Sequence, residues 1–150
     1  MGDNSGAVIV RALADHEVAN VCEVLELARL NQGDGRYLVA WIGAVPVGHV
    51  HVTDDNPPEM QDLAVRPEYQ RRGVATALIA AAEHEARRRH AVKIRLEVSV
   101  GDAAAQRLYQ RNGYTVAAQD PRRVDGTINL RTGPIEVHDV LLSMEKRLDQ

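Results

Sequence analysis

The run Gln70-Arg71-Arg72-Gly73-Val74-Ala75 is the stretch of this sequence best suited to do chemistry. It follows an extended segment over residues 59–65 and leads into a helical, alanine-rich pattern over residues 73–90. A strand that delivers the chain to a glycine turn and then to a helix leaves unpaired backbone N–H groups at the positive end of that helix, where phosphate oxygens bind well. Arg71 and Arg72 add charge, and an arginine at a helix start opposes the dipole and gains from an anion placed between. The plainer alternative is two solvated arginines before an ordinary glycine turn. No Gly-Lys-Ser or Gly-Lys-Thr follows and the dinucleotide fingerprint is missing, which argues against nucleotide hydrolysis and hydride transfer.

Other titratable groups lie on extended runs. His49 and His51 are two apart and share a face, which would allow proton handling or ligand contact. The plainer expectation is a pair of half-exposed strand histidines, and with no third ligand at suitable spacing no metal site is expected. Period-two alternation puts Glu59, Gln61, Leu63 and Val65 on one face and Met60, Asp62 and Ala64 on the other, so only one of the two carboxylates should face a substrate. Cys22 is the only cysteine and sits among Val21, Val24, Leu25 and Leu27, as a packed thiol would. Arg87, Arg88 and Arg89 end a helical pattern, where cations suit the negative terminus.

These residues need a scaffold, and the pattern supplies one. Strand-like runs are expected at residues 8–10, 37–42, 45–52, 59–65, 93–100, 114–117 and 137–144. One or two helices are expected within residues 14–30, one over residues 73–90, and one from Asp102, a plausible N-cap, to Arg111. Residues 119–134 are polar, hold Asp125-Gly126 and Thr132-Gly133-Pro134, and read as a loop. The order predicts an α+β (mixed α/β) domain with one mostly antiparallel sheet of six to seven strands and about four helices. No linker or repeat divides residues 1–150, so a single domain is expected.

Two motifs together resemble the GNAT superfamily of N-acetyltransferases. Gln70, Arg71, Arg72, Gly73, Val74 and Ala75 match its Gln/Arg-x-x-Gly-x-Gly/Ala pyrophosphate loop. Ala105, Leu108, Tyr109, Gly113 and Tyr114 look like its Ala-x-x-Leu-Tyr-x-x-x-Gly-Phe/Tyr signature. The likeness runs over residues 37–117. It implies a V-shaped splay between the fourth and fifth strands, with acetyl-CoA as cofactor. Leu63, Ala64 and Val65 would offer backbone groups to the pantetheine arm. Backbone N–H groups from Arg71 through Ala75, together with Thr76, would hold the pyrophosphate. It further implies Tyr109 as the acid at the cofactor sulfur, with ring packing beneath the sheet as its other reading, and Glu59 as a base working through water. Asp102 stands where the family often has Asn; it can cap a helix but has no amide hydrogen to donate.

The implied activity is acetyl transfer to a primary amine, with a small-molecule acceptor favoured over a peptide N-terminus or protein lysine. A noncatalytic acyl-CoA-binding sensor is the reading from another class, and retained Tyr109 argues against it. A net charge of −3, one Trp, four Tyr and no Phe give no general attraction to nucleic acid. No run approaches membrane-spanning length and residues 1–6 lack the apolar core of a signal peptide, so no membrane partner and a cytoplasmic place are expected. The final strand could pair with a second copy in a homodimer.

Overall fold

The computed structural model describes residues 6–148, so nearly all of the opening segment read above for export signals lies outside the described residues. β1 (Val8–Ala12), β2 (Gly35–Ile42) and β3 (Val45–Thr53) form an antiparallel meander. Gly43 turns the second hairpin at φ +60, a left-handed conformation that glycine adopts without a Cβ penalty. β4 (Glu59–Val65) adds antiparallel to β3.

The segment between β1 and β2 carries less helix than its periodicity suggests. One 3-10 turn (Asp15–Glu17) leads into α1 (Val18–Cys22), and the rest is irregular. The helix has no side-chain cap, and β-branched Val18 and Val21 weaken it intrinsically. What holds it is packing: Val21, Leu25 and Leu27 bury against Tyr37 and Val39 of β2, with Cys22 partly buried beside them.

α2 (Val74–Arg88) covers the opposite face of the sheet. Its Leu78, Ile79, Ala82 and Ala86 meet Val50, Val52 and Met60, and burying each larger aliphatic side chain contributes about 1.5–3 kcal/mol. The helix lies close, since a Cβ at Gly48 would sit 2.8 Å from the Ala64 carbonyl oxygen and 3.2 Å from Leu78. Its C-terminal arginines do more than cap: Arg88 and Arg89 pair with Glu85, and Arg89 donates to the Thr53 carbonyl.

β5 (Lys93–Ser99), α3 (Ala103–Arg111), β6 (Thr115–Val116), β7 (Arg122–Leu130) and β8 (Gly133–Arg147) complete the chain. Sheet order is β1-β2-β3-β4-β5-β8-β6, with β7 on β8, giving eight strands and three α-helices among the described residues. The eighth strand is β7, inside the polar stretch expected to be a loop. Its inward and outward positions alternate, and its nine residues pair along β8. The one parallel contact is β4 with β5, and it lasts for only two pairs, Glu59 with Arg95 and Met60 with Leu96. Beyond them β4 stays with β3 and β5 with β8, so the sheet opens as a V.

Candidate active site

A cavity of about 900 Å³ fills the mouth of that V, within the roughly 300–1,000 Å³ usual for ligand sites. One wall is β4, through Leu63, Ala64 and Val65; the floor is the loop and first turn of α2, through Gln70, Arg71, Gly73, Val74, Ala75 and Thr76. α3 closes the other side with Asp102, Ala105 and Tyr109. Every residue expected to hold the cofactor is there except Arg72, which lies 5.4 Å over the Tyr69 ring. Tyr69, Ala104, Leu108 and Arg111 also line the cavity. Sequence reasoning passed over Arg111, though its position seven residues from Ala104 on α3 puts both on one helix face.

The loop's backbone is what makes this floor. Arg71 at φ +65 and Gly73 at φ +79 are both left-handed, so the chain coils tightly before Val74 begins the helix. The first intrahelical bond is donated by Ala77 to the Gly73 carbonyl, and the N–H groups preceding it have no acceptor within the helix. Concave runs of such amides bind anions. A Cβ added at Gly73 would meet no protein atom within 4 Å, so the glycine is not required by packing; its left-handed φ and the open cavity are the constraints.

α3 sets Tyr109. Asp102 caps the helix, accepting from the Ala105 N–H at 3.0 Å, and its carboxylate also faces the cavity. Burial pushes the Tyr109 phenol above its ordinary pKa, and the Asp102 charge adds to the shift, so the hydroxyl keeps its proton at neutral pH. The Tyr109 ring stands edge-on to Tyr114, whose buried hydroxyl donates to Glu83 of α2 at 2.9 Å. The Tyr109 ring thus packs against the core and also lines the cavity.

Glu59 lies outside the cavity lining, on the sheet face turned away from α2. Its carboxylate accepts from Arg95 at 2.6 Å, and Arg95 also donates to Ser143 and lies near Glu97. Burial raises the Glu59 pKa and the Arg95 charge opposes it, with burial the larger effect.

The alternation expected over residues 59–65 fails at Asp62. His51 pairs with Gln61 but His49 pairs with Ala64, so β4 carries one extra residue, and Asp62 takes a left-handed φ of +54. This β-bulge turns Leu63 and Val65 to the α2 side with Met60. It leaves Gln61 and Asp62 on the other face, with His51, His49 and Tyr37. The two carboxylates thus share a face. His49 and His51 are both buried rather than half exposed, because residues 21–27 cover their side of the sheet, and burial pushes both pKa values down.

A model of the acetyltransferase (GNAT) family matches residues 10–114. Comparison with curated proteins by sequence finds no match. Solved structures share the fold. The ribosomal-protein-S18-alanine N-acetyltransferase from Escherichia coli superposes with a TM-score of 0.72 at 17% identity, over 96% of this chain and 96% of that one. A GNAT family acetyltransferase from Elizabethkingia anophelis with acetyl-CoA bound gives 0.73 at 17%, over 98% and 100%. The spermidine/spermine N-acetyltransferase SpeG from Vibrio cholerae gives 0.71 at 19%, over 97% and 94%.

Proposed function

The chain belongs to the acetyltransferase (GNAT) family, and on that premise we propose that it transfers acetyl from acetyl-CoA to a primary amine of a small molecule, within a single domain acting in the cytoplasm. The observation that carries this reading is one cavity bounded by the left-handed loop, the N-terminus of α2 and Tyr109.

The residues present fit acetyl-CoA. The amides from Arg71 through Ala75 and the Thr76 hydroxyl bind the diphosphate, and Arg71 adds charge at the same floor. Gln70 braces the loop by donating to the Val65 carbonyl at 3.2 Å. Leu63, Ala64 and Val65 offer backbone groups along the open edge of β4, as a strand offers them to an added strand, while Asp102 and Ala105 bound the arm from α3. When bound, the cofactor supplies an acetyl group activated as a thioester.

Tyr109 keeps its proton at the cavity wall and would present it to the thioester sulfur. Burial holds its pKa above the ordinary phenol value, and so above that of a thiol, so Tyr109 would assist by donating a hydrogen bond to the leaving sulfur rather than by complete proton transfer. Glu59, whose pKa burial raises against the opposing Arg95 charge, accepts the acceptor's proton through water.

A small acceptor is favoured by how the far side of the V is closed. Arg131, in the β7–β8 turn, donates from its side chain to the Leu27 carbonyl and from its backbone to Ala28, both at 2.9 Å, and Gln32 reaches the Asn129 carbonyl. This tie joins the β7–β8 turn to residues 27–32, and we read it as narrowing the acceptor side against an extended peptide. The test is free-thiol release from acetyl-CoA with a panel of amines and peptides, for wild type and Tyr109→Phe. The expected result is turnover on small amines, reduced about a hundredfold in kcat by Y109F with acetyl-CoA affinity kept. Turnover on peptides alone would overturn the small-molecule assignment. Cofactor binding with no thiol release would leave a binding module.

A further inference from the structure

On the sheet face turned away from α2 lies a polar cluster that the roles above do not use. Asp62 Oδ2 accepts from the Tyr37 hydroxyl at 2.6 Å, and that hydroxyl in turn accepts from the Arg29 N–H at 2.7 Å. Tyr37 is itself buried and meets the His49 and His51 rings edge-on, at 5.6 and 5.0 Å between centroids. The phenol is therefore fixed at both ends. Asp62 is aimed by its bulge and keeps about a quarter of its side chain exposed (24%).

One group beside Asp62 is unsatisfied. The His49 side chain is only 4% exposed, and its Nδ1 has no hydrogen-bond partner, standing 3.7 Å from Asp62 Oδ2. The nearest polar groups to this nitrogen all belong to Asp62, whose carboxylate and backbone both act on the His49 ring. No lysine or arginine ion-pairs with Asp62 among the described residues. The carboxylate is thus oriented and partly exposed with no cation at ion-pair distance, although the Arg29 charge is close enough to act on Tyr37, His51 and Glu59 around it. It also sits immediately before Leu63 of the cavity wall, at the point where β4 leaves β5.

We infer that Asp62, aimed by the β4 bulge and held by Tyr37, binds the acceptor's ammonium, and that the enzyme therefore selects amines that are cationic in solution. Tyr37 is a positioning residue for that carboxylate, and buried His49 backs it from behind at 3.7 Å. This rests on the acetyl-transfer reading and assigns its acceptor class. It differs from the role of Glu59, which handles a proton and is already paired with Arg95.

The experiment measures thiol release at pH 7.5 with acetyl-CoA and two acceptor sets: alkylamines and polyamines, which are cationic, and an arylamine and a hydrazide, which are neutral. Asp62→Asn keeps the side chain's size and its acceptor for Tyr37 but loses the charge. It is expected to raise KM for the cationic set about tenfold to a hundredfold, the range for a hydrogen bond to a charged group, with KM for acetyl-CoA and rates on the neutral set unchanged. Tyr37→Phe should move the same constants in the same direction by less. Asp62→Glu, which keeps the charge, should restore part of the affinity, and thermal melts of each variant report whether it folds. Equal losses on cationic and neutral acceptors, or an unchanged KM in D62N, would overturn the inference while leaving acetyl transfer standing. Absence of thiol release by wild type with every amine would remove the transfer reading first and this one with it.

Discussion

Burial and a guanidinium pull Glu59 in opposite directions, and the balance predicts its pH behaviour. Desolvation penalises the charged carboxylate more than Arg95 favours it, so the pKa lies above the ordinary glutamate value. A base must be deprotonated to act, so activity is lost as pH falls through that raised value. The acid limb of the kcat/KM profile is therefore expected above the usual carboxylate range, and Glu59→Gln should abolish that limb and lower kcat about a hundredfold. An E59Q profile superimposable on wild type would remove Glu59 from proton transfer. The sequence exposes this residue's type and strand, but not its ion pair. Arg95 lies thirty-six positions away and meets Glu59 only through the short parallel register of β4 and β5.

At the scale of elements, α2 is both floor and anchor. Glu85, near its C-terminus, binds Arg36, Arg88 and Arg89, which bring its pKa down to about 2 despite burial. A depressed folded-state pKa means that the stabilisation is present above the unfolded value, about 4.5, and is lost as pH falls toward 2. Thermal melts between pH 7 and pH 3 should show wild type losing stability over that window and Glu85→Gln losing less. At neutral pH E85Q should be less stable by only about 1–2 kcal/mol, since its arginine partners are half exposed. Parallel melting curves for the two proteins would show that the pair contributes nothing.

The same scale explains what could be read from sequence. α2 and α3 were legible because their starts carry local signals, Gly73 and Asp102, and both act as caps. β7 was not, because Asp125-Gly126 is a turn signal locally and becomes strand only through its nine-residue register with β8. The bulge at Asp62 was hidden for a related reason. Alternation presumes an unbroken pleat, and nothing in Gln61-Asp62-Leu63 announces a left-handed residue. The loop and Tyr109 came from two motifs set apart in sequence, whereas Tyr37 and His49 carry no motif and gain meaning only from where Asp62 is turned.

In the whole molecule, the sheet and α2 divide three tasks between them. The splay opens the cavity, α2 and its loop supply amides on one side, and the covered face presents carboxylates on the other. A ligand that binds the folded state alone adds stability by mass action, about 2.7 kcal/mol at a hundredfold excess over Kd. Gly73 is the narrowest point of this scheme, because any side chain there must adopt a strained left-handed φ and project into open space at the cavity floor, where the proposal puts the diphosphate. Calorimetric titration of acetyl-CoA into wild type and Gly73→Val therefore asks whether this loop binds the cofactor. Saturable one-to-one binding by wild type, lost in a variant that still melts cooperatively, is the expected result. No heat from the folded wild type, or equal affinity in the G73V variant, would contradict it.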